Sequence, residues 1–397
     1  MKLTRLRVGS EPNLCVIVTT NRKISDLTGL LSGCLSVEPS PQFIEATRSE
    51  LRDPVLWSKL IDRAFAHHVA PLLFRRAVRL GLLETAPIEL AEFLAVTDRL
   101  NLGRNAAILQ EMLELAEAME RVGISPIALK GGALLLDEGL PEHNAIMLSD
   151  VDLLVRAEEV QRAVSAAASL GYSASSATPG GHSVVLWHPD RIASIDLHYD
   201  LGPQRHVLAA GEVDGRAERA GTLPLRRLSP TDRAIHNIYH AQIQNRNYRL
   251  AMLSLHQLCN LGLLIEGHGD RIDWDSVRRR FERCGYTSHF MTYLYLAERL
   301  LGIRTSAGLK FGRREAMHFT RVMLQIDWPW LHNLVTYPAL LNSGRTKDRI
   351  AYKRAKGLPI QNAAAALMRL GFVALRRHRH MVFAKLAAVH RSQFGRR

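Results

Sequence analysis

Asp150 and Asp152 alternate within Ser149-Asp150-Val151-Asp152-Leu153-Leu154-Val155, and a third carboxylate follows in Ile195-Asp196-Leu197-His198. Upstream, the short apolar run Ile127-Ala128-Leu129 ends in Lys130-Gly131-Gly132. Side chains alternate faces along a strand, so Asp150 and Asp152 share a face, roughly 6.5–7 Å apart at their bases, while Val151 and Leu153 point into a core. Unpaired carboxylates in so apolar a run are costly, and convergence on one or two divalent cations removes that cost. If the Asp196 strand neighbours the first, a third carboxylate completes a hard-oxygen site suited to Mg²⁺, which keeps waters and takes further ligands from phosphates. Gly131 and Gly132 leave backbone N–H groups bare at the start of a helix, where an anion is favoured, and Lys130 adds a point charge. An Asp-x-Asp pair alone is ordinary surface and a Gly-Gly alone an ordinary turn. Their order and combination point to phosphate binding and metal-assisted phosphoryl chemistry.

These side chains need strands and helices to hold them, and residues 124–205 have that character. Short β-like runs are expected at 124–129, 151–155, 182–188 and 193–199, with a helix over 133–138 opened by the Gly131-Gly132 turn and another over 158–170. Pro179-Gly180-Gly181 marks a turn between two strands. Strand–helix–strand–helix followed by strands is an α/β unit on a small mixed sheet. On either side the pattern is helical: residues 41–123, punctuated by Pro54, Pro71 and Pro87, and residues 225–302, starting at Ser229-Pro230. Residues 1–40 form an unassigned N-terminal extension in which 14–19 is a possible strand. Residues 303–397 are basic and mainly helical, with helices expected near 312–325 and 360–393. The whole reads as an α+β protein whose small mixed sheet is flanked by helical regions.

Composition narrows the classes further. With 397 residues, 47% hydrophobic and 23% charged, the chain is long enough for two or three packed units and too apolar to be disordered. Its longest late apolar run, 363–375, is interrupted by Arg369 and too short to span a bilayer. No secretory pattern follows Lys2, Arg5 and Arg7, so a cytoplasmic location is expected. Cys15, Cys34, Cys259 and Cys284 are far apart, which argues against a disulfide framework or structural zinc. The net charge of +14 is concentrated late: from residue 301 onward 19 Lys and Arg face three acids, whereas the first 300 residues carry 33 against 35. Arg345, Lys347, Arg349, Lys353, Arg354 and Lys356, and then Arg376, Arg377 and Arg379, form clusters able to meet nucleic-acid phosphates or an anionic membrane surface. A solvated basic face is the plainer reading.

Lys-Gly-Gly at 130–132, Ser-Asp-Val-Asp-Leu-Leu-Val at 149–155 and Asp-Leu-His at 196–198 together resemble the uncharacterised bacterial nucleotidyltransferases of the polymerase-β-like superfamily. The resemblance runs from about Leu56 to about Leu301 and includes the lead-in from Gly123 to Gly131 and the later Ile272-Asp273-Trp274. It implies an Mg²⁺-dependent enzyme, with Mn²⁺ the other candidate metal, that moves an NMP group from an NTP to a hydroxyl on a small molecule or protein. Asp150 and Asp152 would then hold the metal on the triphosphate and share a second with Asp196. Asp196 would orient and deprotonate the acceptor, and Lys130, Gly131, Gly132 and Ser149 would bind the nucleotide. Two other outcomes remain open: an RNA-end nucleotidyltransferase assisted by the basic C-terminal region, and a non-catalytic nucleotide-binding scaffold or regulator. The family pattern also places an arginine four residues before the first aspartate, where this chain has Ile146.

Histidines complete the inventory. His198 shares the strand face of Asp196 and is expected either to touch substrate or to satisfy a neighbouring carboxylate. His236, His240 and His256 lie on one helical segment. The i, i+4 pair lacks the intervening glutamate of a zinc protease, and the expectation is polar helix surface.

Overall fold

The computed structural model describes residues 24–137, 142–175, 181–204, 206–304 and 308–328. The possible strand at 14–19, the Pro179-Gly180 turn, the basic clusters and the helix near 360–393 lie outside the described residues. No helix among those described is long and apolar enough to cross a membrane.

Four helices lead in: α1 (Ile24–Cys34), α2 (Pro41–Glu50), α3 (Pro54–Ala66) and α4 (Ala70–Arg79). Their starts are written locally. Ser40 accepts from the Phe43 N–H and Asp53 from the Val55 N–H, with Pro41 and Pro54 in the first helical turn, where a missing N–H costs nothing. The 33-residue α5 (Ile88–Glu120) follows, about 50 Å long at 1.5 Å per residue. Its buried stripe reads Leu94, Asp98, Asn101, Asn105, Ile108, Met112, Leu115 and Met119, at three- and four-residue spacing. Three polar residues therefore sit in the middle of a core-facing stripe, and what they hold matters below.

The sheet begins at β1 (Ile127–Ala128), which passes directly into α6 (Lys130–Leu135). After a loop come β2 (Asp150–Leu154), α7 (Val160–Ala168), β3 (Ser173–Ala174), β4 (Ser183–Trp187) and β5 (Ser194–His198), and then α8 (Ala210–Asp214), β6 (Glu218–Arg219) and β7 (Arg226–Arg227). The seven strands are ordered β3-β4-β5-β2-β1-β7-β6. β2 pairs parallel with β5 and antiparallel with β1, β4 pairs antiparallel with β5, and β7 lies parallel to β1. The mixed sheet flanked by helices is the expected α+β architecture. The edge formed by β6 and β7 was not anticipated, because two-residue strands carry no periodicity to read.

The remaining helices are α9 (Pro230–Tyr239), a π-helical turn (His240–Gln244), α10 (Asn247–Leu250), α11 (Leu255–His268), α12 (Trp274–Arg283), α13 (Thr287–Leu301) and α14 (Arg313–Asp327). Ser229 and Asp273 cap α9 and α12 through the N–H groups of Asp232 and Ser276. One continuous apolar cluster runs from Leu30 to Ile303, so the helices before and after the sheet share its core.

Candidate active site

Asp152 and Asp196 are placed opposite one another by register. Strands β2 and β5 run side by side with Asp152 paired to Asp196 and Leu154 to His198. Val151, Leu153, Ile195 and Leu197 are fully buried and lock the strands to the core, which turns the alternate positions to the other face. His198 satisfies neighbouring carboxylates, one of the two roles anticipated for it. Its Nε2 lies 2.8 Å from Asp152 Oδ1 and 3.3 Å from Asp196 Oδ2. Lys130 Nζ reaches the same Asp152 oxygen at 2.5 Å. Asp196 Oδ1 is buried and has no hydrogen-bond partner among the described residues.

The electrostatics follow from this packing. Burial alone would raise the Asp152 pKa, but the His198 hydrogen bond and the Lys130 ammonium outweigh it and hold the carboxyl well below the usual range. Asp196 is lowered in the same way, burial being outweighed by its His198 contact. Burial would lower His198, yet its hydrogen bonds to Asp152 and Asp196 push it up to about 9. Near neutral pH the cluster therefore holds two carboxylates and an imidazolium, with the Lys130 ammonium beside them. One ligand atom from each of Asp152, Asp196 and His198 lies within 4.8 Å of the others.

The other expected residues divide. Asp150 is exposed at the start of β2, where Ser149 Oγ donates to its Oδ1 at 2.7 Å, and it lies outside the Asp152–Asp196–His198 cluster. Lys130, Gly131, Ser149, Asp150 and Asp152 all line one cavity of about 290 Å³, which neither Gly132 nor Asp196 lines. The glycines are not a turn before a helix, as expected, but lie within α6 itself. A Cβ on Gly131 would run into the Leu148 side chain, and one on Gly132 would press on Met112 at 3.3 Å. Both glycines let α6 approach the loop and α5 closely. Lys130 has φ 46, a left-handed conformation that disfavours a side chain by roughly 1–2 kcal/mol.

The loop that delivers β2 is braced from α4 and α5. Asn101 Nδ2 and Asn105 Nδ2 each donate to the carbonyls of Asn144 and Ile146, at 2.8–3.2 Å. Arg75 bonds both Asp98, at 2.9 Å, and Asn144 Oδ1, at 2.5 Å, and Arg104 donates to the Leu148 carbonyl. The polar residues inside the α5 stripe hold this loop. Ile146, where the family pattern has an arginine, is itself buried against Gly131. Here the basic contacts to the loop come from neighbouring helices.

The far wall of the cavity is helical and corrects an expectation. His236, His240 and His256 are not polar helix surface; all three line the cavity, with Leu228, Asn237, Gln257, Asn260 and Leu264 among their neighbours, and His236 is 4% exposed. Burial drives His236 well below its usual pKa, His240 to about 3 and His256 to about 4, so all three are neutral near pH 7. They form no metal-binding cluster among the described residues. The signal available in sequence was the i, i+4 spacing of His236 and His240, which puts both on one helix face without saying which face is buried.

A family model described as an uncharacterised nucleotidyltransferase matches residues 53–302. No curated protein sequence matches the chain. Among solved structures, the solution structure of the antibiotic-resistance factor ANT(2'')-Ia is similar at 13% identity and a TM-score of 0.34, over 47% of this chain and 99% of that one, a likeness too distant to carry an argument. The family match starts at the N-cap of α3, ends just after α13 and takes in the whole sheet with its aspartate pair; the chain belongs to the uncharacterised nucleotidyltransferase family and is a transferase.

Proposed function

We propose that the chain transfers an NMP group from a nucleoside triphosphate to a hydroxyl on a small molecule or protein, in an Mg²⁺-dependent reaction centred on Asp152 and Asp196. The observation that carries this reading is the in-register pairing of Asp152 with Asp196, with Lys130 on Asp152 and a cavity beginning beside it. The donor set suits a hard divalent cation: two facing carboxylates, an unpartnered buried Asp196 Oδ1, and Asp150 on the same strand. Such a cation, Mg²⁺ foremost and Mn²⁺ next, supplies charge neutralisation for the triphosphate and its departing pyrophosphate.

The chain's own groups do the rest. Asp150 and Asp152 would hold the cation that meets the triphosphate and would share a second with Asp196. Lys130 Nζ, already beside the cluster, meets phosphate oxygens, and Ser149 Oγ and the Gly131 backbone lie on the same wall. Asp196 orients the acceptor hydroxyl and takes its proton, and His198 keeps that carboxylate ionised and fixed. The acceptor oxygen bonds to the α-phosphorus as the bond to the bridging oxygen breaks in line, and pyrophosphate leaves. Positioning and electrostatics supply most of the rate. The alternative of RNA-end transfer rests on a basic region outside the described residues, and no structural observation favours it.

The test is pyrophosphate release and transfer of label from α-phosphate-labelled NTPs in Mg²⁺, with candidate acceptors supplied as cell-extract fractions. Wild type should release pyrophosphate and D152N should lose at least about a hundredfold in rate, the loss expected when a charge-stabilising group is removed. Equal behaviour of the two proteins, with no pyrophosphate from either, sinks the reading.

A further inference from the structure

We infer that the helical wall of the cavity formed by His236 and His240 is the subsite for the uncharged nucleoside half of the donor nucleotide. This rests on the nucleotidyltransferase reading and adds which surface recognises which part of the donor.

Three observations converge. First, the cavity is continuous with the residues assigned to the phosphates, Lys130, Gly131, Ser149 and Asp150, but Asp196, assigned to the acceptor, does not line it. A molecule whose phosphates lie along the first wall places its covalently attached nucleoside in the same space, and the acceptor approaches from the Asp196 side. Second, His236 is 4% exposed, lines the cavity, and has no hydrogen bond from its ring to any described residue. Its ring nitrogens are open to the cavity, and a ligand there is the partner within reach. Third, Gln257 Nε2 lies 2.8 Å from His240 Nδ1. With the amide donating, the proton of the neutral ring sits on Nε2, which is left as a donor with no described partner.

The backbone is built to present these rings together. α9 ends at Tyr239 and continues as a π-helical turn from His240 to Gln244, followed by Arg246 in a left-handed conformation, φ 59. Such widened turns interrupt α-helices at a cost and concentrate at functional sites. The ring centroids of His236 and His240 are 6.2 Å apart. Burial and the Lys130 charge keep both imidazoles neutral. A neutral His236 ring with one donor and one acceptor, and the His240 Nε2 donor, beside the apolar Leu228 and Leu264, suit a base or ribose.

The experiment measures binding by titration calorimetry in Mg²⁺, using the four α,β-methylene nucleoside triphosphates, which cannot undergo transfer, and inorganic tripolyphosphate. Wild type should bind at least one analogue about tenfold or more tightly than tripolyphosphate, a gain of about 1.4 kcal/mol. H236Q and H240Q should bring that analogue to within about threefold of tripolyphosphate and leave tripolyphosphate within about twofold of wild type. A thermal melt checks each fold, and H240Q decides alone if H236Q does not fold. Retention of the tenfold gain, or equal weakening of tripolyphosphate, overturns the subsite while leaving the transferase reading intact. If wild type binds neither probe, the nucleotide reading falls and takes the subsite with it.

Discussion

Removing the two asparagines that brace the aspartate loop should cost more together than the sum of their separate costs. Asn101 and Asn105 each donate to the same two carbonyls, those of Asn144 and Ile146. N101A or N105A alone leaves each carbonyl one donor, so each should cost about 0.5–1.5 kcal/mol, the net worth of an ordinary hydrogen bond. The double variant leaves the buried Ile146 carbonyl with no side-chain donor, adding an unsatisfied-group penalty of about 1–3 kcal/mol that neither single variant incurs. The assay is a double-mutant cycle in urea, with stability taken from midpoint and slope. The expected coupling is at least about 1 kcal/mol, the double variant being the worse. Transfer rate should follow the same order, because the loop leads into Asp150. Additivity to within about 0.5 kcal/mol would refute the shared-carbonyl account.

Other consequences follow from packing and charge. G131A displaces only the end of the half-buried Leu148 side chain, so its cost sits at the low end of overpacking, about 1 kcal/mol, read as a slightly lower thermal midpoint. Arg76, 2% exposed, bridges Glu142 and Glu266 at 2.6 Å each; R76M leaves Glu142 only its longer 3.5 Å pair with Arg79 and should destabilise the fold by about 3 kcal/mol in chemical denaturation. Acid should weaken the fold through half-buried histidines that packing holds neutral. Burial lowers His67 to about 4, His240 to about 3 and His256 to about 4, so between those values and 6.5 the unfolded chain binds protons that the folded chain does not. Stability is then unaffected by these groups above pH 6.5 and falls as the pH drops below it, by at most about 1.4 kcal/mol per pH unit for each histidine. Urea midpoints flat from pH 7.5 to 5 would contradict their burial as neutral rings.

The sheet geometry is legible because it rests on a period of two. Asp150 and Asp152 among apolar neighbours announce a strand, and the strand carrying Asp196, whose place sequence leaves conditional, pairs beside it in parallel. What could not be read is equally specific. Lys130 reaches Asp152 from a left-handed backbone position, which lysine does not advertise. The histidine wall reads as surface in sequence because the i, i+4 spacing of His236 and His240 does not say which helix face is buried; packing of α9 against α6 and α11 decides it. Asn101 and Asn105 sit at core spacing on α5 but bond a loop some forty residues later, a partnership with no local signature. β6 and β7 are too short to have a pattern at all.

Asp196 is assigned to the acceptor, and Asp150 and Asp152 to the donor nucleotide. Single-turnover transfer and analogue binding, measured on the same D196N and D150N preparations, test that assignment most directly. D196N should bind the α,β-methylene nucleotide within about threefold of wild type yet lose at least about a hundredfold in transfer, whereas D150N should lose nucleotide affinity as well. Loss of nucleotide binding in D196N, or transfer that survives its replacement, would contradict the account.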